Sequence, residues 1–300
     1  MPVYINKDGV LTELKENPAK LEKDIQRVFE TNLHTLTGLT LVKSEFTIKN
    51  RRIDTLAYDE QSKAFIIIEY KRDRNISVFD QGITYLNLML ENKADFIIEF
   101  NENAIGNLKR DDVDWSQSRV AFVSTGFTDN QRQAVNFKDF GIELWEIKNF
   151  QNNIVQINSL KKTASAPSIK DISGKSKILE VVKKEIKEYS EEDLLRNCSS
   201  EIIELYESFK SAILNLSNGI ELEPKKHYVA FKKGRNIADI ELQKNSFKLW
   251  INLKHGKLDD PKNLTRNVSK IGHYGNGDYE IRIVNDIHLE YILSLVKQAL

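Results

Sequence analysis

The sequence predicts a protein of two domains, the first of which is a mixed α/β domain. The chain has 300 residues, more than one typical domain contains. Its first half carries three adjacent strand-like segments between two segments of helical periodicity, and its last quarter carries four more strand-like segments. A polar tract rich in Ser and Lys separates them and is expected to be a linker. The predicted boundaries are 1–160 for the first domain, 161–176 for the linker and 177–300 for a smaller α+β domain.

Hydrophobic periodicity predicts the elements of the first domain. Residues 18–36 place Leu21, Ile25 and Phe29 at helical spacing. Residues 63–71 form a nearly continuous apolar run, which is typical of a central strand covered on both faces. The elements predicted after the first helix are strands at 39–50, 51–60 and 63–71, a helix at 77–93, strands at 94–100 and 118–127, a helix at 128–140 and a strand at 141–150.

The second domain is predicted to contain strands between helices. Three of its aromatic residues, Phe231, Trp250 and Tyr274, could stack on nucleic-acid bases, but aromatic residues in strands more often belong to a core. The predicted elements are helices at 176–189 and 199–216, strands at 227–234, 238–245, 247–254 and 279–285, and a helix at 286–300.

Composition excludes several classes of protein. Lys and Arg number 44 and Asp and Glu also number 44, so the chain is not a highly basic nucleic-acid coat protein, although a local basic cleft stays open. The single cysteine, Cys198, cannot form an internal disulfide, and no Cys cluster indicates a zinc site. No apolar run reaches the roughly 18 residues of a membrane span, and the first residues do not read as a signal peptide. We therefore expect a cytoplasmic protein that does not contact membranes.

Charged residues at the end of a buried strand mark the candidate site. Glu69 and Lys71 lie two residues apart, so they project from the same face of a strand, whereas Tyr70 projects from the other face. If residues 51–58 pair antiparallel with residues 64–71, Asp54 lies level with this end of the second strand. Two carboxylates would suit Mg²⁺ or Mn²⁺, and Lys71 could orient a water molecule or stabilise charge on a phosphate.

The segment that contains these residues resembles the PD-(D/E)XK nuclease signature. Asp54 corresponds to the first acid, and Glu69-Tyr70-Lys71 corresponds to the (D/E)XK tripeptide. Ile53 replaces the usual proline, which is not a metal ligand. The predicted order of elements over residues 18–100 is similar to the α-β-β-β-α-β core of that family.

Further residues extend the resemblance to RecB-like nucleases. Gln81 and Tyr85 match the Gln-x-x-x-Tyr pattern of those members, and a site role for this pair stays open beside that of an ordinary semi-buried pair. Members also carry an acid on the first helix, for which Glu22 is favoured over Glu30. The C-terminal part resembles an uncharacterised bacterial domain found after such nucleases. The resemblance implies a restriction-endonuclease-like fold and metal-dependent cleavage of phosphodiester bonds in DNA or, less often, RNA.

Basic residues near the candidate site are expected to contact the phosphates of a nucleic acid. They lie on both sides of the acids in the sequence: Arg51, Arg52, Arg72 and Arg74. Tyr85 is a further candidate contact. Paired cuts in a duplex would require two copies of the chain, so a homodimer stays open.

Two other interpretations remain open. Asp54, Glu69 and Lys71 could form a salt-bridge cluster at the edge of a sheet, as an isolated Glu-x-Lys in a strand usually does. The domain could also keep the nuclease fold while acting as a catalytically weak nucleic-acid-binding or assembly protein.

Overall fold

The chain divides into two compact units, Met1–Lys187 and Glu188–Leu300. The boundary in the chain therefore falls between residues 187 and 188, after the linker predicted at 161–176. The reason is that Leu179 and Val182 bury their side chains in the apolar core of the first unit. The computed structural model describes residues 2–18, 21–72, 77–103, 106–163, 165–171 and 176–300.

The first unit is a mixed α/β structure. Its strands are β1 (Tyr4–Lys7), β2 (Val10–Glu13), β3 (Thr40–Ile48), β4 (Arg51–Asp59), β5 (Ala64–Lys71), β6 (Arg119–Ser124), β7 (Ile142–Phe150) and β8 (Ile154–Ser159). Its helices are α1 (Glu22–Thr31), α2 (Leu33–Thr37), α3 (Val78–Glu91), α4 (Lys93–Asn103), α5 (Asp129–Ala134) and α6 (Lys177–Glu185). This composition confirms the predicted mixed α/β class.

A six-stranded mixed sheet forms the centre of the first unit. Its order is β3-β4-β5-β6-β7-β8. The strands from β3 to β5 are antiparallel, β5, β6 and β7 are parallel, and β8 is antiparallel to β7. Helix α3 packs on one face, where Leu86 joins a core that contains Ile67, and α1 packs on the other, where Phe29 joins a core that contains Ile68. Strand β5 is thus buried on both faces, as its apolar run predicts.

The prediction of a strand at residues 94–100 is wrong, because these residues belong to helix α4. Phe96 and Phe100 are buried one helical turn apart, and their rings contact Phe65 of β5. Ile98, which lies between them, is 54% exposed. Short apolar runs fit a strand or a helix, and here packing against the sheet favours the helix. The parallel neighbour of β5 is instead β6.

The second unit is built on one antiparallel sheet of order β13-β14-β12-β11-β10-β9. Two helices contribute to the apolar core of this unit through Phe209 and Leu295. The sheet contributes Phe231 and Leu249 to the same core. The strands are β9 (Glu221–Pro224), β10 (Val229–Lys233), β11 (Arg235–Gln243), β12 (Ser246–Ile251), β13 (Arg266–Asn267) and β14 (Tyr279–Ile283). The helices are α7 (Glu191–Leu195), α8 (Ser200–Leu214) and α9 (Leu289–Lys297).

Within the described ranges, no helix combines the length and the apolar character needed to cross a bilayer.

Candidate active site

Strands β4 and β5 bring Asp54 and Glu69 side by side. The antiparallel pairing of the two strands runs from Asp59 and Ala64 to Thr55 and Ile68, so Asp54 and Glu69 come next. At these two residues, hydrogen bonds from backbone N–H groups to the side-chain carboxylates replace the backbone–backbone hydrogen bonds of the ladder. The Asp54 backbone N–H donates to Glu69 Oε1 at 3.2 Å, and the Tyr70 backbone N–H donates to Asp54 Oδ2 at 3.0 Å. Both carboxylates are therefore fixed at the end of the hairpin.

Lys71 lies on the same face of β5 as Glu69. Its Nζ donates to Glu69 Oε2 at 3.3 Å, and the two side chains are 14% and 4% exposed, respectively. Tyr70 is buried on the opposite face, where its ring and that of Phe29 form a T-shaped pair with a centroid distance of 6.0 Å. The alternation of the strand thus separates a charged face from an apolar one.

Helix α3 brings Gln81 and Tyr85 to Glu69. Gly82 lets this helix lie close to the sheet, because a Cβ at that position would stand 2.2 Å from Ile142 Cδ1. Gln81 Nε2 donates to Glu69 Oε2 and to the Tyr85 hydroxyl, each at 3.3 Å. Burial and the nearby Glu69 carboxylate raise the pKa of Tyr85 to about 12. Gln81 Oε1 is buried and has no hydrogen-bond partner among the described residues.

The two acids proposed for helix α1 occupy different surroundings. Glu22 is exposed, and its Oε1 accepts a hydrogen bond at 2.8 Å from the backbone N–H of Arg72, the residue after Lys71. Glu30 accepts hydrogen bonds from Gln26 and from Thr55, whose side chain also reaches the Tyr70 hydroxyl. Glu22 therefore lies at the charged end of β5, whereas Glu30 belongs to a polar network on the α1 side of the sheet.

The positive charge near the two carboxylates does not balance their negative charge. Burial raises the pKa of Glu69, the charge of Asp54 raises it further, and Lys71 only partly opposes the change. Burial also raises the pKa of Asp54, against the opposing effects of the Tyr70 N–H and Lys71. A cation would relieve this excess of negative charge, and the unpartnered oxygen of Gln81 adds a further acceptor nearby.

The donor set fits a hard cation that keeps part of its water shell. Both carboxylates supply oxygen, which Mg²⁺ and Mn²⁺ prefer. No group of three or more His, Cys, Asp or Glu suited to a metal occurs in the part of the chain that the structure describes. Water or substrate oxygens would therefore have to complete the coordination around Asp54 and Glu69.

The basic residues are only partly gathered at this site. Arg72 is exposed and follows Lys71 directly, and its backbone bonds to Glu22. Arg51 and Arg52 are exposed at the start of β4, and Arg52 forms an ion pair of 3.0 Å with Glu45. At ordinary strand spacing, Arg51 lies about 10 Å along the strand from Asp54. Arg74 lies outside the described residues.

Gln26 is a residue of this region that sequence reasoning missed. It is 7% exposed, and its Nε2 donates to the Asp54 carbonyl at 3.0 Å and to Ser44 Oγ at 3.3 Å. It thereby ties helix α1 to the backbone of the residue that carries the first carboxylate. A signal was present, because Gln26 is a polar residue between Ile25 and Phe29 on the buried side of the helix.

Comparisons with known proteins give matches of sequence and of structure. Residues 191–300 match a family model described as "Domain of unknown function (DUF5655)". A solved structure, "crystal structure of a repair endonuclease from Pyrococcus abyssi", is 14% identical with a TM-score of 0.25. The match covers 43% of this chain and 48% of the solved chain, so it spans about half the length of the solved chain. A TM-score this low supports no conclusion about fold or function.

The other sequence match covers the whole chain. A protein of Haemophilus influenzae described as "Uncharacterized protein" is 57% identical over 300 residues, which are 100% of this chain and 99% of that protein. Identity this high over the full length shows common descent of both units together. The chain therefore belongs to the same family as this Haemophilus influenzae protein.

Proposed function

We propose that this protein is a metal-dependent nuclease of the PD-(D/E)XK type, which hydrolyses phosphodiester bonds, with DNA as the expected substrate. The observation that carries the proposal is the pairing of the Asp54 and Glu69 carboxylates at the end of the β4–β5 hairpin, with Lys71 Nζ on Glu69. An ordinary salt-bridge cluster would balance its charges, whereas here two partly or fully buried carboxylates face one amine.

The order of elements around this pair supports the same proposal. Helix α1 precedes the antiparallel strands β3, β4 and β5, helix α3 follows them, and the next strand, β6, is parallel to β5. Apart from the additional helices α2 and α4, this is the α-β-β-β-α-β order that the resemblance implies, with β6 in the place first assigned to residues 94–100. The core therefore extends over residues 22–124.

Each residue of the site has a chemical role in this proposal. Asp54 and Glu69 would hold Mg²⁺ or Mn²⁺, which would supply positive charge at the phosphate and acidify a bound water molecule. Lys71 would place its ammonium group beside Glu69 and stabilise negative charge on a phosphate oxygen. Gln81 and Glu22 would hold water by hydrogen bonds. Arg72 would contact a phosphate of the nucleic acid.

The test is a cleavage assay with a matched pair of lysine substitutions. Plasmid, linear duplex, single-stranded and branched DNA, and RNA are incubated with Mg²⁺ or Mn²⁺ and the wild type, Lys71→Met or Lys63→Met. Lys63 lies before the same strand, and its side chain forms a partly exposed ion pair of 3.2 Å with Glu60. The proposal predicts cleavage by the wild type and Lys63→Met, and its loss in Lys71→Met. Tight binding of a nucleic acid without cleavage by the wild type would favour a catalytically weak binding protein.

A further inference from the structure

The second unit displays a stacked pair of aromatic rings at its surface. The rings of His227 and Tyr274 lie 4.2 Å apart with an interplanar angle of 22°. Tyr274 is 49% exposed and His227 is also exposed. Phe231 and Trp250, the other aromatic residues considered for stacking, are fully buried and belong to the core. Tyr274 therefore remains as an aromatic side chain that the core does not explain.

A buried carboxylate holds the loop that carries Tyr274. Asp239 is 0% exposed, and its Oδ2 accepts hydrogen bonds of 2.8 Å from both the backbone N–H and the side-chain amide of Asn276. The amides of Asn236 and Asn252 each donate to the same carboxylate at 3.1 Å. Burying a carboxylate is costly unless it is fully hydrogen-bonded, so this arrangement stabilises one conformation of the loop.

Close packing fixes the same loop on the sheet. A Cβ at Gly277 would stand 2.0 Å from the carbonyl oxygen of Ile251, so the backbone approaches the strand as closely as only glycine allows. His273 stacks on Trp250 at a centroid distance of 5.8 Å, with an angle of 18°. The loop therefore presents Tyr274 in a preorganised position, which lowers the entropic cost of binding.

Charge in the second unit is distributed to suit an anionic partner. Residues 221–285, which contain the sheet and this loop, carry thirteen Lys and Arg against eight Asp and Glu. Residues 188–214, which contain α7 and α8, carry two against seven. Lys226 and Lys270 are exposed and lie close in sequence to the two stacked rings. The ring pair thus lies in the basic part of the unit, since the remaining residues, 188–220 and 286–300, carry three Lys and Arg against nine Asp and Glu.

We propose that His227 and Tyr274 form a stacking site for unpaired bases of a nucleic-acid strand. Every base has an aromatic face, so an exposed ring pair binds bases with little regard to sequence, and the neighbouring lysines suit the phosphates. Unpaired bases occur in single-stranded DNA and in RNA alike, whereas a duplex hides their faces. The inference rests on the proposed nuclease function, because it names the class of substrate that the chain would bind.

The experiment measures binding without cleavage. Labelled single-stranded DNA, RNA of the same length and duplex DNA are titrated with the full chain in EDTA, and fluorescence anisotropy reports the dissociation constant. The variants are Tyr274→Ala, Tyr274→Leu and Tyr274→Phe. Tyr4→Ala is the matched control, because Tyr4 is 50% exposed and lies in the first unit. Melting temperatures are compared for all variants, and Tyr274→Leu serves if the alanine variant is less stable.

The expected result is a selective loss of affinity. Tyr274→Ala weakens binding of single-stranded DNA or RNA by about 5- to 150-fold, whereas Tyr274→Phe and Tyr4→Ala bind as the wild type does. Comparison of the DNA and RNA titrations identifies the source of the bases. Unchanged affinity in Tyr274→Ala and Tyr274→Leu, an equal loss for the duplex, or no binding of any strand by the wild type would overturn the inference.

Failure of the nuclease proposal would be seen separately. The binding assay contains no free metal, so its result does not depend on cleavage at Asp54, Glu69 and Lys71. A wild type that cleaves nothing but binds single strands through Tyr274 would contradict the nuclease alone. A wild type that cleaves DNA with Tyr274→Ala binding unchanged would contradict the stacking site alone.

Discussion

Substitution of Asp54 by asparagine should abolish stabilisation of the first unit by Mn²⁺. Asparagine keeps an oxygen that can accept the hydrogen bond from the Tyr70 N–H, so the hairpin should still form. It removes one of the two negative charges, however, and leaves only the Glu69 carboxylate beside Lys71. The remaining charges then cancel, and the attraction for a divalent cation is lost.

The magnitude follows from linkage between binding and unfolding. At a free Mn²⁺ concentration of 100 times the dissociation constant, the folded wild type gains about 2.7 kcal/mol. The first unit spans Met1–Lys187, and in a domain of that size each kcal/mol moves the melting temperature by roughly 2–4 °C. The wild type should therefore melt about 5–11 °C higher with Mn²⁺ than in EDTA.

Differential scanning calorimetry over a series of Mn²⁺ concentrations measures this effect. Glu60→Gln is the control, since Glu60 is a half-exposed carboxylate of the same unit that forms an ion pair with Lys63. We expect the control to follow the wild type and Asp54→Asn to show no dependence on Mn²⁺. An equal rise in Asp54→Asn and the wild type would refute the assignment of Asp54 as a ligand, because loss of a ligand's negative charge weakens binding of a divalent cation.

Three further predictions concern other parts of the chain. Glu22→Gln should lower cleavage by about 10- to 100-fold in a kinetic assay, whereas Glu30→Gln should instead lower the melting temperature. Gly277→Ala should cost about 3 kcal/mol in urea unfolding followed by tryptophan fluorescence, because its Cβ overlaps the Ile251 carbonyl. Burial lowers the pKa of Lys162 to about 8, so its acetylation, followed by mass spectrometry, should rise with pH around a midpoint near 8. A steady rise of Lys162 acetylation up to pH 10 would contradict the lowered pKa of this lysine.

Local patterns were sufficient to predict the elements that carry the candidate site. The apolar run at 63–71 became β5, buried on both faces, and the alternation along it places Glu69 and Lys71 together. Such patterns work here because the same residues decide both the strand and its burial. The position of Asp54 needed one further assumption, the antiparallel pairing of β4 with β5, which the structure has.

Tertiary packing decided what the sequence could not predict. Residues 94–100 fit a strand by their apolar character, and only the contacts of Phe96 and Phe100 with the sheet favour a helix. The bond between Gln26 and the Asp54 carbonyl joins residues 28 apart in the chain. Contacts of this kind have no local signature, because each depends on the final arrangement of α1 and β4.

The polar cage around Asp239 in the second unit, formed by three asparagine side chains, could not be predicted for the same reason. Asn236, Asn252 and Asn276 come from separate segments and converge on Asp239 only in the folded sheet. In the sequence, nothing marked Asp239 as a buried carboxylate. The exposed position of Tyr274 depends on this cage.

The most direct test of the central claim is to measure metal-dependent cleavage by the wild type and by a variant that lacks only the second carboxylate. Glu69→Gln preserves the size of the side chain and an oxygen for the hydrogen bond from the Asp54 N–H. The wild type and Glu60→Gln should cleave a nucleic acid in Mn²⁺ and stop when EDTA is added, and Glu69→Gln should show no cleavage. Equal cleavage by Glu69→Gln and the wild type, or cleavage that persists in EDTA, would contradict the claim that Asp54 and Glu69 form a metal-dependent nuclease site.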